Sequence, residues 1–368
     1  MKRTIQYVSL LVVVVVAAVL FNACGNEPAK PAGTLKVGVI VPLTGNAGVL
    51  GDYTLKGLQL AVDEQNAKGG LLGQKIELDV QDSKGDPKEG VAIAKNMMAN
   101  ETKPFLVYSI MSGVTLAIKP ETEKNNIPLM SAVGTDKFLE NSNYTVRNYV
   151  SATTIGQNLV PYLKDTAKVK NLVLFHSNNE YGISVRDAVK KNAEANGLTV
   201  STEPYEEASL DYKSLIAAKV NKSTECVYVA GVGKGLGTMI KQIRESGYTG
   251  KIVGDQLITF PDVVNVAGDA LKGIPYLDFA FDAKSTNGNT RSFVDAFKNK
   301  YKTDPQNFSV ITYDGMKLVF NTVEQNQTTD GSKLIGGLNS TMGYTGVFGP
   351  ISVTDRNVNF TFHFKEWQ

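Results

Sequence analysis

Histidine, cysteine and tryptophan are scarce in this chain, at two, two and one among 368 residues. Each scarcity removes a class of chemistry. A closed metal centre needs about four His, Cys or carboxylate ligands, and His176, His363, Cys24 and Cys226 are a thin supply with no ligand spacing. A nucleophile–His–acid set needs a histidine in a recognisable setting, and neither histidine has one. The glycines form no phosphate cradle. Gly45-x-x-Gly48-x-x-Gly51 lacks the dinucleotide spacing, and in Gly231–Gly237 the lysine Lys234 is followed by glycine rather than Ser or Thr. No metal, nucleotide or other cofactor is therefore expected, and no enzyme activity.

An excess of one charge is also missing. The segment 1–23 begins with Lys2 and Arg3, continues as an apolar run through Phe21 and ends at Ala23. That is a secretory signal peptide, and its apolar run is short for a membrane span of about 18–20 residues. Cys24 follows directly, as in bacterial lipoprotein signals, although Phe21 stands where leucine is usual and Asn22 where a small residue is usual. The reading is a lipidated Cys24 on a Pro/Gly/Ala tether over 24–33. Removing the leader brings the 38 basic residues level with the 36 acidic ones, so the mature chain has no general electrostatic footprint for nucleic acid. With Cys24 lipidated, Cys226 has no intrachain partner and reads as a buried strand residue.

What is present is alternation. Leu35–Val41 is a short β-branched strand, Pro42–Asp52 a loop with three glycines, and Tyr53–Asn66 a helix stopped by Gly69-Gly70. Lys75–Val80 is a second strand. Pro87–Met98 is a second helix, with Asp86 as N-cap and Pro87 at the first helical position. The pattern continues through strands at Phe105–Ile110, Ile127–Ser131, Asn171–His176, Leu198–Pro204, Cys226–Val232 and Lys251–Gly254. The expected helices among and after these include Gly182–Asn196, Asp211–Val220, Gly235–Gly247, Thr290–Tyr301 and Phe308–Glu324. Such α/β alternation builds doubly wound parallel sheets, whose ligands sit beyond the carboxyl ends of the strands.

Several motifs in order, VGVIVPLTG, a helix ending NAKGG, LLGQKIEL and DxxGDPKEGVAIAKNM, resemble the start of the periplasmic leucine/isoleucine/valine-binding proteins that feed ABC importers. The resemblance runs through nearly all of the chain after the leader. It implies two doubly wound parallel-sheet α/β lobes joined by three hinge crossings, placed near Arg147, at Ile274–Phe281 and at Tyr344–Val353. The lobes would be 34–147 plus 280–349 and 148–279 plus 350–368. An early disulfide frequent in the family is absent, its positions being taken by Gly85 and Met111.

The resemblance also implies ligand-binding positions. Ser112 and Gly113 stand in the loop that holds a ligand carboxylate, and Gly134 and Thr135 where the headgroup is contacted. Tyr181, in HSNNEYG, would cover the ligand from the second lobe, and Phe308 would line the pocket. Leu50 and Gly233 replace aromatics usual in the family. The acid that pairs with a ligand ammonium falls on Gln256, beside Asp255, and a neutral amide cannot balance a desolvated ammonium. Either Asp255 takes that role or the ligand is an amide, a small carboxylate or an aromatic acid.

The resulting expectation is a monomeric, lipid-anchored, extracytoplasmic solute-binding protein. Its partners would be a small-molecule ligand, an ABC permease and, through the anchor, a membrane. A ligand sensor for a receptor and an amide hydrolase of similar fold are the alternatives.

Overall fold

The structure is a computed structural model describing residues 33–368. The expected signal peptide 1–23, Cys24 and all but the last residue of the tether lie outside the described residues.

The first βα units form where the local signals are strongest. Strand β1 (Thr34–Val41) leads to helix α1 (Gly48–Ala67), β2 (Lys75–Asp82) to α2 (Pro87–Ala99), β3 (Leu106–Ile110) to α3 (Ser112–Lys124), and β4 (Leu129–Ala132) to β5 (Thr145–Arg147). Asp86 caps α2 by accepting the Lys88 N–H at 2.7 Å. β1 lies between β2 and β3, parallel to both, so Val37 stands opposite Leu78 on one side and Leu106 on the other. Helix α1 begins five residues before the expected Tyr53. Gly51 reads locally as a breaker, but a Cβ there would lie 1.6 Å from the Pro42 carbonyl oxygen. Only glycine lets the helix start so close to the end of β1.

A second series follows: α4 (Ala152–Pro161), β6 (Asn171–Ser177), α5 (Glu180–Ala195), β7 (Thr199–Tyr205), α6 (Lys213–Lys219), β8 (Cys226–Ala230), α7 (Gly233–Glu245), β9 (Lys251–Asp255), α8 (Pro261–Ala267) and β10 (Pro275–Phe279). The chain then returns to the first lobe with α9 (Gly288–Tyr301), α10 (Asn307–Asn326) and α11 (Gly331–Asn339), α10 packing along α1. Four short strands finish it: β11 (Tyr344–Gly346), β12 (Gly349–Thr354), β13 (Asn357–Asn359) and β14 (Phe362–Glu366).

The strands make two sheets, ordered β11-β12-β13-β5-β4-β3-β1-β2 and β14-β10-β9-β8-β6-β7. This corrects the expected third crossing at Tyr344–Val353 and the placing of 350–359 in the second lobe. β11 and β12 pair antiparallel, and Asp355-Arg356, both at positive φ (48° and 61°), turn β12 into β13 beside β5. Two consecutive positive-φ residues are the signature of a tight hairpin turn usually built from Asn or Gly. Only β14 joins the second sheet, antiparallel to β10. The chain thus passes between sheets at 148–151, 280–287 and 360–361.

The rings of Tyr149, Phe348, Phe360 and Phe362 gather around Phe279, with centroids 5.8, 5.6, 5.3 and 4.9 Å away. Their mutual packing ties the passages together where few backbone bonds can.

Candidate ligand cleft

A cavity of about 440 Å³ lies between the two sheets' lobes, lined from both. Every wall is a segment that follows a strand or begins a helix, as the geometry of doubly wound sheets requires. On the first-lobe side, Met111 has a φ of 71° and caps α3 with no side-chain hydrogen bond. Its left-handed backbone is unusual for a non-glycine residue. It brings Ser112, Gly113 and Val114, the first turn of α3, onto the wall. First-turn N–H groups have no intrahelical acceptor, and together with the Ser112 hydroxyl they form a donor-rich, anion-accepting surface. Leu50, Met111 and Phe308 give the same side apolar cover.

Six of the expected ligand residues, Leu50, Ser112, Gly113, Gly134, Tyr181 and Phe308, line the cavity. The Gly134 carbonyl accepts the Ala152 N–H at 2.7 Å, and a Cβ at Gly134 would meet the Tyr181 ring at 3.1 Å. The close approach of a glycine thus seats that ring against the first lobe.

Four expected residues do not line it, and each is held elsewhere. The Thr135 hydroxyl donates to Glu180 Oε1 at 3.0 Å and accepts from Ser184 Oγ at 3.0 Å, so it spans the lobes. Gly233, at φ 66°, touches Asn46 of the first lobe; a Cβ there would stand 2.4 Å from the Asn46 carbonyl oxygen. Asn46 Nδ2 also donates to the Val232 carbonyl at 3.2 Å. Asp255 is buried behind the wall, accepting from Tyr228 and Tyr181 hydroxyls at 2.9 and 3.1 Å and from the Leu257 N–H at 3.0 Å. Burial pushes its carboxyl up to about 6 against the pull of those donors. Gln256 is equally buried, with its amide donating to the Tyr149 hydroxyl. Neither Asp255 nor Gln256 therefore faces the cavity, since both are committed to neighbours behind the wall.

The carboxylate that does face the cavity from the loop after β7 is Glu207. Burial raises its pKa, while the Val232 N–H at 3.0 Å and the Ser177, Asn179 and Asn46 side chains favour its charged form. Tyr149, Lys84, Asn179 and Glu180 complete the polar wall. The sequence signal for Glu207 was its place just beyond the expected strand Leu198–Pro204, a position shared with many loop residues. Gly85 and Met111, at the positions of the missing disulfide, both stand in the wall.

His176 is buried with Nδ1 3.1 Å from the Ser177 carbonyl oxygen, and burial lowers its pKa. Cys226 is a free, buried thiol. Among the described residues no three His, Cys, Asp or Glu side chains cluster as metal ligands would.

A family model described as periplasmic binding protein matches residues 34–364. The leucine-, isoleucine-, valine-, threonine- and alanine-binding protein of Pseudomonas aeruginosa is 25% identical over 342 residues, covering 91% of this chain and 90% of that protein. A leucine-binding protein of Thermotoga maritima superposes with a TM-score of 0.84 at 20% identity, covering 91% of this chain and 95% of that one. A solute-binding protein of an ABC transporter from R. palustris, in complex with benzoate, does so with a TM-score of 0.83 at 22% identity, covering 91% and 94%. The two structural likenesses show a shared fold.

Proposed function

Because the chain belongs to the periplasmic binding protein family, we propose that it is an extracytoplasmic solute-binding protein of an ABC importer that closes two lobes over an amino acid or related small carboxylate. The observation that carries this reading is the open first turn of α3. Ser112 and Gly113 present a hydroxyl and N–H groups to an enclosed cleft, a surface suited to a carboxylate without a full counter-charge. The relatives reported above are named for amino acids or solved with benzoate, which supports a small carboxylate as the ligand.

The protein performs no chemistry on the ligand and acts as a monomer, held to the membrane through a lipid on Cys24 and delivering to a permease.

A thermal-shift screen of amino acids, amides and aromatic acids tests the reading, because a ligand bound only by the folded state raises stability by RT ln(1 + [L]/Kd). A stabilising carboxylate recovered unchanged after incubation is the expected result. Product formation would point to an enzyme instead.

A further inference from the structure

Three charged side chains line the cleft: Lys84, Glu180 and Glu207. Glu180 is already paired with Lys137 at 3.0 Å and hydrogen-bonded by Thr135 and Ser184. Lys84 lies at the open edge, its side chain 61% exposed and 3.9 Å from Glu89. Glu207 differs from both. It is half-buried, and the groups that stabilise its charge are neutral donors, namely the Val232 N–H and the Ser177, Asn179 and Asn46 side chains.

Its position is also built. A Cβ on Gly235 would fall 2.3 Å from the Glu207 carbonyl oxygen, and one on Gly231 would fall 3.3 Å from Glu207 Oε1. Both glycines leave the space that lets the loop after β7 press toward the cleft. A carboxylate held there without a cation is costly unless a ligand brings one.

We infer that Glu207 is the specificity-determining residue that receives a ligand's cationic amino group, so that the cleft selects amino acids over their deaminated counterparts. The inference rests on the proposed carboxylate site at Ser112. A zwitterion would place its carboxylate on the first lobe and its ammonium on the second, and thus bind both lobes only when they are closed. Differential binding of that kind is what shifts an open–closed equilibrium. It also resolves the absence of an acid at Gln256: the charge comes from a different loop of the same lobe.

Calorimetry with paired probes tests this: L-leucine against 4-methylpentanoate, L-phenylalanine against 3-phenylpropanoate, and benzoate alone. Wild type should bind at least one amino acid more tightly than its deaminated partner. Glu207→Gln keeps an oxygen for the Val232 N–H, and its melting temperature without ligand verifies the fold. It should lose roughly 10- to 100-fold in amino-acid affinity, the scale of a hydrogen bond to a charged group, while binding the deaminated acid as well as wild type or better. Glu207→Asp, which keeps the charge, should retain part of the preference. A wild type that prefers deaminated acids, or a Glu207→Gln variant that loses both probe classes equally, overturns the assignment and leaves the carboxylate site standing. Failure of wild type to bind any probe, amino or deaminated, overturns the underlying reading and this inference with it.

Discussion

Lys137 Nζ of the first lobe stands 3.0 Å from Glu180 Oε1 of the second, and the same oxygen accepts from Thr135 Oγ1 at 3.0 Å. Ser184 adds a hydroxyl to both Thr135 and Glu180. On the other rim, Asn46 meets Val232 and Gly233. These contacts join residues from both sheets' lobes, so they exist only while the cleft is closed.

Glu180→Ala should therefore act on closure. Lys137 is 59% exposed, so the ion pair itself adds little, and the loss should be on the order of 1 kcal/mol, seen mainly as faster ligand dissociation. Thr135→Ala should lose less than additively when combined with Glu180→Ala, since one contact is shared. Stopped-flow dissociation and solution scattering of the single and double variants check this. Strict additivity would mean that the two side chains act apart.

Ser112→Ala should weaken any carboxylate ligand by about 1.5–3 kcal/mol, the worth of a hydrogen bond to a charged group, without changing the melting temperature of the ligand-free protein. Calorimetry on the ligand found by the stability screen decides it. An unchanged affinity would remove Ser112 from the site.

Asp255 predicts a pH signature. Burial raises its carboxyl from 3.8, the ordinary value kept in the unfolded chain, to about 6 in the folded one. Between those values the folded state holds a proton that the unfolded state has released. This group's contribution is thus full below pH 3.8 and is lost as pH rises through about 6, a change on the order of 3 kcal/mol. In Asp255→Asn the amide oxygen keeps the Leu257 N–H, and the amide nitrogen donates to the Tyr181 and Tyr228 oxygens, whose hydroxyls can turn. Urea unfolding should show the variant gaining on wild type from pH 4.5 to pH 8. A gap that does not change with pH would contradict a raised carboxyl at this position.

Cys24→Ser should release the exported protein from the membrane and leave ligand binding intact. Mass spectrometry of the wild-type N-terminus checks the premise: residue 24 first in the chain, carrying lipid.

Much of this architecture was legible from neighbouring residues alone. A strand's β-branched run, a helix's apolar face and an N-cap such as Asp86 before Pro87 are relations within a few positions, set by backbone sterics and local hydrogen bonds. They placed the βα units and pointed to the loops after the strands. The helix α1 start and the β12–β13 turn were less legible, because Gly51 answers to a distant carbonyl and Asp355-Arg356 adopt a backbone that their side chains do not advertise. The site divided along the same line. Ser112 and Gly113, at the start of a helix after a strand, follow from local order. Which acid faces the cleft does not. Gln256 is the expected place and Asp255 its neighbour, yet Tyr181, Tyr228 and Tyr149 hold them behind the wall, and Glu207 reaches it from another loop. That choice depends on how side chains far apart in sequence fill the space between packed lobes, and only the tertiary structure decides which polar groups are satisfied within the protein and which are left for a ligand.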